Sequence, residues 1–175
     1  MQEITIQSKL TLEKYIRLMF RLTYRKFIML FISFIGVTML TAGILDFASV
    51  WNSIDGPPYF QLIFGTVVVF YLPFTVYRSA RKNFLSHANL QENMTYTFTP
   101  EQIIIQGETF NSTTSWDKVY KVQELKGWFL IYQSKQVAHL VPKDTFSPEQ
   151  IFRFREIMAA VPKLKKKAPF RTASA

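Results

Sequence analysis

The sequence predicts an α+β membrane protein in which a two-helix transmembrane hairpin carries an antiparallel β-sheet or barrel closed by a C-terminal helix. Three observations carry that reading. Residues 27–45 and 59–77 are uncharged apolar runs of about 19 residues each, close to the ~20 that a helix needs to cross a ~30 Å hydrocarbon core. From about Glu92 the pattern changes to period-two alternation, the signature of half-buried strands. Ser147-Pro148-Glu149-Gln150 then supplies a helix start, with a Ser cap, Pro at the first helical position and Gln at the capping-box position.

At the N-terminus, residues 3–7 alternate as a short strand with Ile4 and Ile6 on one face. Thr11 is placed to cap a helix carrying Leu12, Tyr15, Ile16, Met19 and Phe20 on one side, with Lys14, Arg17, Arg21 and Arg25 largely on the other. No Pro or Gly separates this segment from the first run. It reads either as a helix lying at the membrane surface or as a straight extension of the first span. Residues 1–26 thus form a cytoplasmic strand and amphipathic helix, and 27–77 the hairpin, with spans at about 27–45 and 59–77 and an outside loop at 46–58.

Orientation follows from the basic residues. Lys9, Lys14, Arg17, Arg21, Arg25 and Lys26 precede the first span, and Arg78, Arg81 and Lys82 follow the second; the loop holds Asp46 and Asp55 and neither Lys nor Arg. The positive-inside bias puts both termini in the cytoplasm, and Phe27, Trp51, Tyr59 and Tyr77 suit the interfacial aromatic belt. The first apolar run starts too late, and is followed too closely by a second, for a cleaved signal peptide. Gly36, Gly43 and Gly65 allow close helix contact without a strict GxxxG pair. Pro73 predicts a kink in the second span. With no charge inside either span, the sequence argues against a proton relay or ion pathway.

A linker at 78–91 leads into a unit at 92–161. Strands are expected at 94–99, 103–106, 109–116, 120–125, 128–133 and 136–141, with turns at Pro100-Glu101, Gly107-Glu108, Lys126-Gly127 and Ser134-Lys135. The helix after Ser147 places Ile151, Phe152, Phe154, Arg155, Ile157 and Met158 over several turns before Pro162 stops it. A core of this size is marginal alone, so the N-terminal strand is expected to join the sheet. Residues 162–175 read as a disordered basic tail containing Lys163, Lys165, Lys166 and Lys167.

Composition fits this division. A mean hydropathy of +0.07 averages two very apolar spans with a polar remainder. The net charge of +9 lies mostly beside the spans and in the tail, where basic residues attract anionic lipid at roughly 1 kcal/mol each; that placement argues against nucleic acid. The absence of cysteine excludes disulfides, thiolate metal sites and cysteine nucleophiles.

The order of parts resembles the YcxB-like family of small bacterial membrane proteins. The resemblance is carried by Ile4-Thr5-Ile6, the hairpin, Tyr96 and Phe98, Ser115-Trp116-Asp117-Lys118-Val119, Leu130 and Tyr132, and Val141-Pro142-Lys143 followed by Phe146. It implies a cytoplasmic domain similar to pleckstrin-homology (PH)-like domains, a bent barrel capped by a C-terminal helix, on a bacterial inner-membrane anchor. Its motif residues Trp116, Pro142 and Phe146 read as structural.

Catalytic equipment is thin. His87 and His139 lie in unrelated settings and read as satisfied structural histidines, and no metal-binding, nucleophile-elbow or phosphate-loop motif is present. Glu101, Glu108, Asp117 and Glu124 read as exposed strand-end or turn acids. The expectation is a non-enzymatic membrane protein without cofactor or metal. Its cytoplasmic domain would bind a protein partner or an anionic lipid surface, through an exposed sheet edge or a basic rim of Lys118, Lys121 and Lys143. A membrane immunity or antitoxin-like protein is the second reading, and an oligomeric channel or transporter component the third. Homo-oligomers are compatible with all three.

Overall fold

The computed structural model describes residues 3–50 and 57–161 and the backbone of Lys166–Lys167. The chain divides into a helical unit, Thr11–Ala88, and a strand-rich unit made of Met1–Leu10 and Asn89–Ala175.

The helical unit contains α1 (Leu12–Tyr24), α2 (Phe27–Phe47) and α3 (Tyr59–Ser86). The Thr11 hydroxyl accepts from the Lys14 N–H and caps α1, as the sequence indicates. The straight extension is not adopted: Lys26 is extended (ψ 125°), so the chain turns between α1 and α2. No Pro or Gly forces that turn. Tertiary packing drives it, because α1 lays Tyr15 and Leu18 against the last turns of α3, with the Tyr15 and Phe84 rings 5.6 Å apart.

α3 also runs past residue 77, into the expected linker. Residues 78–86 lose hydropathy but contain no helix breaker, and Ala80 and Phe84, one turn apart, are both buried. The disturbance from Pro73 appears as a π-helical turn at Val67–Tyr71, where the Leu72 N–H bonds the Val67 carbonyl. Proline has no N–H for the carbonyl four residues back and its ring crowds it; a widened turn relieves that conflict.

α2 and α3 meet through their glycines. A Cβ on Gly36 would stand 2.2 Å from Val68 Cγ1, and one on Gly65 would stand 2.7 Å from the Leu40 backbone. The hydroxyls of Ser33, Thr38 and Thr41 bond carbonyls one turn back, so these polar groups of α2 are satisfied inside their own helix. Both helices are long and apolar enough to cross a membrane, and only 11% of each apolar window is buried.

The strand-rich unit holds two sheets and one helix. Strands β1 (Ile4–Lys9), β2 (Asn93–Phe98), β3 (Gln102–Gln106) and β4 (Asn111–Ser115) form an antiparallel sheet in that order. The second sheet has the order β7 (Ala138–Pro142), β6 (Trp128–Tyr132), β5 (Lys121–Leu125), β8 (Lys166–Lys167). The pair β1–β2 runs from Ile4↔Phe98 to Lys9↔Asn93, so the N-terminal strand does complete the sheet. β8 pairs parallel to β5 at Val122 and Gln123; the rest of the expected disordered tail, with Lys163 and Lys165, lies outside the described residues.

Helix α4 (Pro148–Ala160) begins with the reciprocal capping box of Ser147 and Gln150. Its Phe154 centres the core, 4.7 Å from the Phe98 ring and 4.6 Å from the Phe129 ring. Ile4, Ile6, Ile103, Ile105, Val122 and Ile131 surround these rings. Simple alternation fails in β5 and β6, where Val122–Leu125 and Trp128–Ile131 are buried on both faces; the continuous apolar run Trp128-Phe129-Leu130-Ile131 suits that placement.

Candidate functional site

Three features of the strand-rich unit bear on function. The first is a charged group in the core. Glu124, expected at the surface, is 1% exposed and accepts from Arg155 Nη2 at 2.6 Å, from Arg155 Nε at 3.3 Å and from Lys143 Nζ. It sits opposite Phe129 in the β5–β6 register, and the Lys143 ammonium lies 4.6 Å from that ring. A buried carboxylate persists only when its charge is compensated. The 3-10 turn at Lys143–Thr145 and helix α4 supply the two cations.

This group alters the expected basic rim. Lys143 is drawn onto Glu124, and Lys121 is half-buried with Nζ 4.1 Å from the Tyr132 ring. Of the three lysines only Lys118 is fully exposed. The motif residues are interior. Trp116 is buried beside Phe98 and donates its Nε1–H to the Thr99 carbonyl at 2.8 Å; Pro142 ends β7 in a buried position; Phe146 packs on Phe98, Phe129 and Phe154.

The second feature is a small cavity of about 50 Å³ where β1 and β2 approach β7, lined by Ser8, Glu92, Met94, Tyr96 and His139 among others. Glu92 accepts from Thr109 Oγ1 (2.6 Å) and from the N–H groups of Glu108 (2.7 Å) and Thr109 (3.1 Å). The Thr109 hydroxyl, opposed by burial and aided by the two N–H groups, holds its carboxyl below the ordinary range. Tyr96 donates to Met94 Sδ at 3.0 Å, and burial pushes its hydroxyl up to about 12. His87 is satisfied as expected, with Nδ1 2.8 Å from the Asn83 carbonyl. His139 is not: its buried Nε2 has no hydrogen-bond partner among the described residues, and burial lowers its pKa. No group of acids and histidines fit to hold a metal occurs among the described residues.

The third feature is the free edge of the first sheet. β4 pairs with β3 from Gln102↔Ser115 to Gln106↔Asn111, and no strand lies on its other side among the described residues. The opposite edge strand, β1, is engaged by α4: the Gln150 side chain reaches the Thr5 carbonyl at 3.4 Å. The β4 sequence Asn-Ser-Thr-Thr-Ser has no Lys, Pro or bulge, the devices by which edge strands discourage pairing. Sequence reasoning named an edge as a binding mode without choosing this strand; the absence of charge across 111–115 was the available signal.

The family model described as YcxB-like protein matches residues 98–158, from the end of β2 to the last turns of α4. The match contains Trp116, Lys118, Pro142, Lys143 and Phe146 and the Glu124–Arg155 pair; β1 and the apolar helices lie outside it. No curated protein and no solved structure matches the chain.

Proposed function

We propose that this chain is a two-pass membrane protein whose YcxB-like segment, completed by β1, forms a cytoplasmic PH-like module that binds an extended peptide of a protein partner along β4. The observation that carries the binding mode is the uncharged edge Asn111–Ser115, unpaired on its outer side among the described residues. Such an edge offers a row of backbone donors and acceptors to an added strand.

Membrane insertion is supported by the surface of the helices. Phe27, Phe34, Phe60, Ile63 and Phe70 are each more than 60% exposed, far more apolar surface than a soluble monomer leaves in contact with water. The PH-like assignment is supported by two sheets, antiparallel apart from the short β8, that share one aromatic core with a single C-terminal helix. Lys143 serves Glu124 rather than a rim, so recognition of a lipid surface by this module is the weaker reading.

The test is site-specific photocrosslinking of the full chain in native membranes, with the photoreactive residue at Thr113 or at the exposed turn residue Lys135. A discrete polypeptide captured from position 113 and not from 135 supports strand addition. Capture of none at 113, or equal capture at both, contradicts it.

A further inference from the structure

We infer that the cleft between α1 and α3 is a binding site for the headgroup of an anionic phospholipid, an inference that rests on the membrane reading above. The cleft measures about 370 Å³ and is lined by Met19 and Thr23 of α1 and by Thr75, Val76, Ser79, Ala80 and Asn83 of α3. It lies where the apolar run of α3 ends and the basic segment begins, since Tyr77 closes the run and Arg78 follows.

Its chemistry is amphiphilic. Thr75 donates to the Leu72 carbonyl. The side chains of Thr23, Ser79 and Asn83 have no hydrogen-bond partner among the described residues, so their donors are available. Around the same helix ends, Arg21, Arg25, Lys26, Arg78, Arg81 and Lys82 are exposed, and none is ion-paired among the described residues. Acids are scarce there: Glu13 is held by Arg17, and Asp46 lies at the far end of α2. The C-terminal dipole of α1 disfavours an anion, but Arg21 and Arg25 in and after its last turn carry full charges that outweigh it.

A phospholipid fits this site better than a water-soluble anion. Val76 in the cleft and the half-buried Leu72 one turn before it continue an apolar strip down the same face of α3, so acyl chains would run along the helix while the phosphate meets the hydroxyls and cations. Each basic residue near an anionic surface contributes roughly a fivefold preference.

The experiment uses the full chain in nanodiscs of phosphatidylcholine containing a minority of phosphatidylglycerol, with retained lipid read by native mass spectrometry. The wild-type chain is expected to retain phosphatidylglycerol selectively. Lys82→Gln should lower that selectivity about fivefold; Ser79→Phe, which fills the cleft, should abolish it; Lys118→Gln should leave it unchanged. Equal retention of the two lipids, or selectivity that survives both α-helical variants, overturns the inference. Flotation with pure phosphatidylcholine vesicles separates the two claims: a chain that floats without lipid selectivity loses only this site, and one that does not float loses both.

Discussion

Lys9 and Asn93 are the last registered partners of β1 and β2, so residues 10–92 leave the sheet and return to it at a single strand pair. The sheet is therefore built from both sides of the apolar hairpin. If those residues enter a bilayer, their two ends must emerge on the same side, which requires an even number of crossings.

β1 should accordingly be indispensable to the module. Ile4 and Ile6 are 2% and 4% exposed and pack into the aromatic core. Ile6→Ala is expected to cost about 2–4 kcal/mol, measured by denaturant unfolding of the full chain in detergent. A fragment starting at residue 92 should lack a cooperative transition, and joining residues 1–9 ahead of Asn93 through a short turn should restore it.

The Glu124 group gives a prediction whose sign depends on how it is dismantled. Glu124→Ala leaves Lys143 and Arg155 facing an apolar core and should destabilise the module by about 3 kcal/mol, reduced somewhat because both cations are partly exposed. Replacing all three residues with Leu or Met should restore most of that loss. Comparing the single and triple variants by chemical denaturation separates charge compensation from simple packing.

Glycine contacts in the hairpin differ in what stands opposite. At Gly65 the obstacle is the Leu40 backbone at 2.7 Å, whereas at Gly43 it is the Leu62 side chain at 3.1 Å. Gly65→Ala should therefore cost about 1–3 kcal/mol, and Gly43→Ala clearly less, in unfolding from mild detergent into dodecyl sulfate.

Stability should fall as pH falls, in two windows. His139 has a folded pKa below its ordinary 6.5, so below that pH the unfolded chain takes up the proton first and stability drops until the folded pKa is reached. Glu92 has a folded pKa below its ordinary 4.5. Its contribution is complete above that value and is lost as pH falls through the folded pKa. His139→Gln should flatten the upper window and Glu92→Gln the lower, in unfolding midpoints recorded across pH.

Local signals proved the most legible. Thr11 and Ser147 cap their helices as their sequences indicate, and β2 and β3 follow from alternation, whereas β5 and β6 are marked by the turn residues Lys126-Gly127 between them and by the apolar run of β6. What escaped depended on contacts distant in sequence. Nothing near Lys26 announces a turn; the packing of Tyr15 on Phe84 requires one. Glu124 reads as a surface acid until Lys143 and Arg155 arrive from other elements. Residues 78–86 read as linker because hydropathy ended, although helix propensity did not. His139 falls on the cavity only because β7 of one sheet approaches β1 and β2 of the other.

The most direct test of the account is the sidedness of single cysteines in a chain that has none of its own. Ala48→Cys, after α2, and Gln91→Cys, just ahead of β2, would be labelled with a membrane-impermeant thiol reagent in intact cells expressing the full chain. The account expects position 48 to react from outside and position 91 to react only after permeabilisation. Reaction of both from the same side, or recovery of the chain in the soluble fraction, would contradict it.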